Sequence, residues 1–126
     1  MSIEEMNEFL ISIGGLERIY REDRGPIVDA RYFGVGKGWF PIIKSMIEEL
    51  IEIGWDKRTT QVKEKFGGLR FYLETYPEGA AEIISKYEKM SYTLCETCGN
   101  PGELRKGSWL FTLCDEHHEE KEDENR

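Results

Sequence analysis

Three cysteines and two histidines carry the most distinctive chemistry of this chain, and they fall into a pattern. Cys95-Glu96-Thr97-Cys98 is followed fifteen residues later by Cys114-Asp115-Glu116-His117. Two residues between the members of each pair let one tight turn present both ligands. An intervening hairpin would bring the two pairs onto one tetrahedral ion. Three thiolates and one imidazole close such a site, so the expected cofactor is a structural zinc rather than a catalytic one, which would need an open position. His118 is the alternative fourth ligand, and the two-residue spacing favours His117. Three cysteines also cannot pair completely as disulfides.

A second set of residues suits an anion. Lys63, Lys65, Arg70 and Tyr72 stand on two short runs either side of Gly67-Gly68. Arg70 offers a bidentate fork for phosphate, and Tyr72 or Trp39 offers a ring for a base to stack on. The alternative for the basic residues is a solvated outer face that keeps a strand soluble. For Trp39 the choice is between a core anchor and the rim of a pocket at a helix start.

Periodicity supplies the strands and helices that would hold these residues. Gln61 to Thr75 alternates apolar and polar residues around Gly67-Gly68, which predicts a β-hairpin with a two-residue turn. Pairing Phe66 with Leu69 sets Lys65 opposite Arg70 and Lys63 opposite Tyr72. One face is then Val62, Phe66, Leu69, Phe71 and Leu73, with Glu64 an intruder that needs a partner such as Arg31 or Arg18. Ser2 and Glu5 match a capping box before a helix ended by Gly14-Gly15. Ile27 to Val35 reads as a strand, and Gly34, Gly36 and Gly38 make a loop able to approach a ligand closely or simply to lead into a helix. Pro41 opens that helix, with Ile42, Ile43, Met46, Ile47, Leu50 and Ile51 in a stripe up to Gly54. Ala80, Ile83, Ile84 and Tyr87 mark another helix from Pro77 to about Ser91.

These elements predict an α+β fold in which a small antiparallel sheet packs against helices, with a C-terminal zinc-ribbon or treble-clef-like module. The expected division is an α+β domain over 1–91 with its hairpin at 61–75, a zinc module over 92–118 and an acidic tail over 119–126.

Charge narrows the function classes. The 126 residues carry a formal charge of −8, and the segment from Asp115 onward holds seven acids and two bases. Broad capture of nucleic acid, which rests on Lys and Arg neutralising phosphates, is disfavoured. Lys57 to Arg70 is a basic exception, with five bases and one acid. A patch of that size suits a small anionic ligand. No run of about 18 apolar residues marks a membrane span, and no signal peptide is evident, so the expected compartment is the cytoplasm.

The chain resembles a family of small uncharacterised proteins found in phages and prophage-bearing bacteria. The resemblance rests on Gly38-Trp39, on QVKEKFGGLRFY from Gln61 to Tyr72, and on TCGNPGELRKGSW with TLCDEH, from Thr97 to Trp109 and Thr112 to His117. It implies a host bacterium's cytoplasm and no particular chemistry.

The leading expectation is a non-enzymatic protein that binds a small phosphorylated, nucleotide-like ligand through Lys63, Lys65, Arg70, Tyr72 and Trp39, sequestering a host defence signal. Catalysis is the weaker reading, because the histidines and cysteines are committed to the metal. One alternative is an interaction protein that blocks a host factor with exposed aromatics and the acidic tail. Another is a nucleic-acid reader using Arg105, Lys106 and Trp109. Two copies pairing through hairpin edges would give a homo-oligomer.

Overall fold

The computed structural model describes residues 1–18, 26–27 and 29–124. Helix α1 spans Ile3–Ser12, and the Ser2 hydroxyl and Glu5 carboxylate accept from each other's amides in the expected capping box. Gly14 and Gly15, both at positive φ, end it and release the chain into strand β1, Leu16–Arg18. Strand β2, Pro26–Ile27, pairs antiparallel with β1.

The strand expected over Ile27 to Val35 does not form as such; its Val28 lies outside the described residues. Asp29 instead caps a 3-10 turn, Ala30–Tyr32, accepting from the Arg31 amide at 3.0 Å, while Asn7 Oδ1 accepts from the Ala30 amide at 2.5 Å. This side-chain capping outcompetes the β propensity of the stretch. Ile27 belongs to β2, and Gly34 meets the sheet again further on, exchanging backbone bonds with Val62 and Glu64.

Helix α2, Phe40–Glu52, carries Pro41 in its first turn and buries Phe40, Ile42, Ile43, Met46, Ile47 and Leu50. Burying side chains of this size stabilises the fold by about 1.5–3 kcal/mol each. Strands β3, Arg58–Lys65, and β4, Gly68–Leu73, form the expected hairpin, and α3, Ala80–Ser91, follows. The sheet order is β2-β1-β3-β4. It is not wholly antiparallel: β1 and β3 run parallel, because α2 lies in the connection between them and returns the chain to the same end.

The hairpin register differs from the expected one. Lys65 pairs with Gly68, Glu64 with Leu69, Lys63 with Arg70, Val62 with Phe71 and Gln61 with Tyr72. The turn is therefore Phe66-Gly67, with φ of 55° and 82°. Gly68 is a strand residue because the Tyr92 ring occupies the space where its Cβ would stand, 2.3 Å away. A bulge between Thr59 and Gln61 restores the inward direction of Thr59, so Thr59, Val62, Leu69, Phe71 and Leu73 all face the core.

The outer edge of β4 is covered by side chains. Ser91 Oγ accepts from the Leu69 amide at 2.9 Å, Glu88 Oε2 from the Phe71 amide at 3.2 Å, and the Tyr76 hydroxyl from the Leu73 amide at 3.1 Å. Edge-to-edge pairing through β4 would have to displace these three groups.

The C-terminal segment forms a second, two-stranded sheet from β5, Glu103–Arg105, and β6, Phe111–Leu113, and then helix α4, Asp115–Glu124. The acidic stretch is thus helical as far as Glu124, and α4 buries none of its residues.

Candidate metal centre and the cleft beside it

The two ligand pairs come from different local devices. Cys95 and Cys98 sit in a tight turn closed by the Gly99 amide donating to Cys95 O and the Cys95 amide to Asn100 O, both at 2.8 Å. Gly99 lies at φ 83°, which glycine adopts without steric cost. Cys114 follows β6 directly, and His117 stands on the first turn of α4. The Glu96 amide donates to Thr112 O at 3.0 Å and so holds the turn against β6.

The ligand atoms of Cys95, Cys98, Cys114 and His117 all lie within 4.8 Å of one another. Cys98 Sγ is 3.8 Å from Cys114 Sγ, and His117 Nδ1 is 3.2 Å from Cys114 Sγ and 3.6 Å from Cys95 Sγ. A tetrahedron with metal–sulfur bonds of about 2.3 Å has edges of roughly 3.8 Å, so the spacing suits a four-coordinate ion. Burial resists charge on Cys95, yet the amides of Cys114, Cys98 and Thr97 outweigh it and bring the thiol down to about 6. Burial and the two neighbouring sulfurs push Cys98 up instead. His118 lies outside this group, with Nε2 3.0 Å from Glu122.

The metal turn is seated on the α+β body through the glycine loop. The Gly38 amide donates to Glu96 O at 2.8 Å, the Gly36 amide to Glu96 Oε2 at 2.9 Å, and Trp39 Nε1 to Leu94 O at 2.9 Å. A Cβ on Gly38 would stand 2.2 Å from Cys95 O, and one on Gly36 2.4 Å from Glu96 O. The alternating glycines therefore do permit a close backbone approach, but what approaches is the chain's own metal turn. Burial raises the Glu96 carboxyl above its ordinary range, against the Gly36 hydrogen bond.

Trp39, expected as a possible stacking platform, is 0 % exposed and anchors the core. Its ring has no face left for a ligand. Lys63 and Arg70 are directly opposed, with Tyr72 one pair further along on the same side. Arg70 already donates to Leu69 O at 2.9 Å and to the Tyr92 hydroxyl at 3.1 Å, so both terminal nitrogens of its fork have a partner within the chain. Lys65 is exposed, and its Nζ lies 5.4 Å from the centroid of the Phe66 ring. Glu64 Oε2 accepts from the Gly67 amide at 2.7 Å and holds the turn. Arg31 pairs with Asp29 at 2.6 Å, and the Arg18 side chain lies outside the described residues. Arg105 is also committed, to Glu103 at 3.1 Å and Asp115 at 2.7 Å, which leaves little of it for a phosphate.

The sequence reading missed a cleft where the two hairpins meet. The Thr112 hydroxyl donates to Gly67 O at 2.6 Å, and Leu104 fills the space beside Gly67, where a Cβ would lie 2.5 Å from its Cδ1. Between the two turns is a cleft of about 470 Å³ lined by Glu64, Lys65, Phe66, Ser108, Trp109 and Leu110. Phe66 is 64 % exposed and Trp109 69 %. The signal in the sequence was an aromatic residue just before Gly67-Gly68 and another just after Gly107-Ser108, two turn positions where a core residue is out of place. No family model, curated protein or solved structure matches the chain, so the site itself carries the functional argument.

Proposed function

We propose that this chain is a non-enzymatic protein-binding protein held together by a structural zinc ion in a treble-clef-like module. The observation that carries the reading is the pair of exposed aromatics, Phe66 and Trp109, on either side of a cleft whose walls are tied by the Thr112–Gly67 hydrogen bond. Exposed apolar surface of this kind marks interaction sites, and tryptophan is the residue most enriched among interface hot spots. Zinc is the metal that three thiolates and an imidazole at tetrahedral spacing favour. With four protein ligands the centre keeps no position for a substrate, which supports a structural role. The resemblance to phage proteins makes a host factor the natural partner.

A second reading, a small nucleotide-like ligand on the outer hairpin face, is favoured by the direct opposition of Lys63 and Arg70, a like-charge pair that an anion would relieve. A photo-crosslinking residue placed at position 109, compared with one at the exposed Glu82 on α3, separates the two. Capture of one protein from position 109 alone, lost when Phe66 is also changed to Gly, supports the first reading. A phosphorylated compound released from the native protein and lost in Lys63→Glu, with no such capture, refutes it in favour of the second.

A further inference from the structure

The 470 Å³ cleft does not end in neutral surface. At Glu64 it adjoins a second cleft of about 410 Å³, which lies between the metal module and the glycine loop. Four carboxylates line that second space, Glu64, Glu96, Glu120 and Glu124, against one ammonium, Lys121. Lys121 stays within this space, 4.7 Å from the centroid of the Phe111 ring and 4.0 Å from Glu124, so it offsets one of the four carboxylates and leaves the cleft acidic. Four carboxylates against one ammonium make a surface that attracts a further cation. A bare metal ion is not what they await. Among the described residues, the group whose ligand atoms converge is the Cys95, Cys98, Cys114 and His117 cluster, and these four carboxylates are not part of it. A larger, diffuse cation such as a guanidinium or an alkylammonium spans separated carboxylates where a small ion cannot.

The backbone at the junction is also costly to maintain. Phe66 sits at φ 55°, a left-handed conformation that glycine or asparagine adopts easily and a bulky residue does not. Its ring gains little packing in return, since it is mostly exposed. The two-residue turn requires that conformation, but its exposed ring gives no packing reason for a phenylalanine in it, which fits a functional position. The walls are fixed in advance by the Glu64–Gly67 and Thr112–Gly67 hydrogen bonds, so a partner would meet an ordered surface.

Resting on the protein-binding reading above, we infer that the paired clefts take a basic segment of a partner protein, with one bulky apolar side chain between Phe66 and Trp109 and a neighbouring arginine or lysine among Glu64, Glu120 and Glu124. The helix behind the acidic cleft extends the match, since α4 holds seven acids and one lysine. Its field would steer a basic segment toward the site and raise the rate of encounter.

The test uses the full chain purified without chelator and three short labelled peptides. One carries tryptophan flanked by arginines, one the same tryptophan flanked by glutamates, and one alanine flanked by arginines. Fluorescence anisotropy is expected to show binding of the first, with the other two at least about tenfold weaker, the fold-change equivalent to about 1.4 kcal/mol. Trp109→Ala and Glu120→Lys/Glu124→Lys should each weaken the first peptide by a similar factor, and the charge variant should also flatten its salt dependence. Phe66→Gly relieves the turn, so it should fold at least as well as the parent and still bind less. If both tryptophan peptides bind alike and Trp109→Ala weakens both, the protein-binding reading stands and the basic partner is wrong. If none of the three binds, or if sedimentation shows the parent as a dimer that Trp109→Ala dissociates, the inference is overturned, a second copy being the occupant in the latter case.

Discussion

Gly38→Ala tests whether the metal turn is seated on the glycine loop or merely tethered to the α+β body. The new Cβ would stand 2.2 Å from Cys95 O, 2.6 Å from Glu96 O and 2.6 Å from the Gly99 amide nitrogen. All three are backbone atoms of the turn that holds Cys95 and Cys98, so no side-chain rotation relieves the overlap. The turn must retreat, and the Gly38 amide then loses its 2.8 Å bond to Glu96 O. Overpacking costs about 1–3 kcal/mol and the lost hydrogen bond about 1 kcal/mol, so the total is about 3 kcal/mol. For a chain of this length that is a drop of roughly 10 °C in melting temperature. Because the retreating turn carries Cys95 and Cys98, two of the four clustered side chains, part of the cost should fall on metal binding. Zinc affinity, measured by competition with a chromogenic chelator, should fall by at least about tenfold. Urea unfolding followed by tryptophan fluorescence should show the body weakened with the module, since Trp39 Nε1 donates to Leu94 O just ahead of Cys95. Gly107→Ala is the control: its nearest neighbour would be Trp109 O at 4.0 Å, and it should leave both quantities near the parent's. Gly38→Ala with parental zinc affinity and an unchanged urea midpoint would refute the seating argument.

Other outcomes follow from single contacts. Ser91→Ala removes the buried acceptor of the Leu69 amide and should cost about 1–3 kcal/mol in urea unfolding, with hydrogen exchange at Leu69 accelerated. Metal loading should reach one ion per chain and release protons, and cobalt(II) in its place should show the absorption of a tetrahedral thiolate site. Cys114→Ser should abolish that spectrum, whereas His118→Ala should keep it, because His117 Nδ1 is the nitrogen facing the sulfurs. At the alkaline end, burial and the hydrogen bond to Glu49 push the Tyr87 hydroxyl up to about 12 from an ordinary value of 10.0. The folded state then holds a proton that the unfolded state releases first. Its contribution to stability is present below pH 10 and is lost as the pH rises toward 12. Spectrophotometric titration of tyrosinate should show the high step move down in Glu49→Gln.

Whatever depends on neighbours a few residues apart could be read from the order of residues alone. The cluster of three cysteines and a histidine was legible because each pair is closed by its own turn, and the spacing of Cys95 to Cys98 and Cys114 to His117 already states the geometry. The capping box at Ser2 and Glu5, the stripe of α2 and that of α3 were legible for the same reason: helical contacts reach three or four residues and no further. The hairpin was legible as a hairpin, but its register was not. Alternation is satisfied almost equally by turns at Phe66-Gly67 and Gly67-Gly68, and the choice is made by distant groups: Tyr92 filling the space beside Gly68, and Thr112 and Leu104 gripping Gly67. The same kind of contact decided the fate of Trp39, which Leu94 draws inward, and of Arg70, whose fork Tyr92 engages. The cleft between Phe66 and Trp109 joins turns more than forty residues apart in the chain, as the 45-residue separation of Thr112 and Gly67 shows. Only tertiary packing brings them together, since nothing in either turn alone specifies the other.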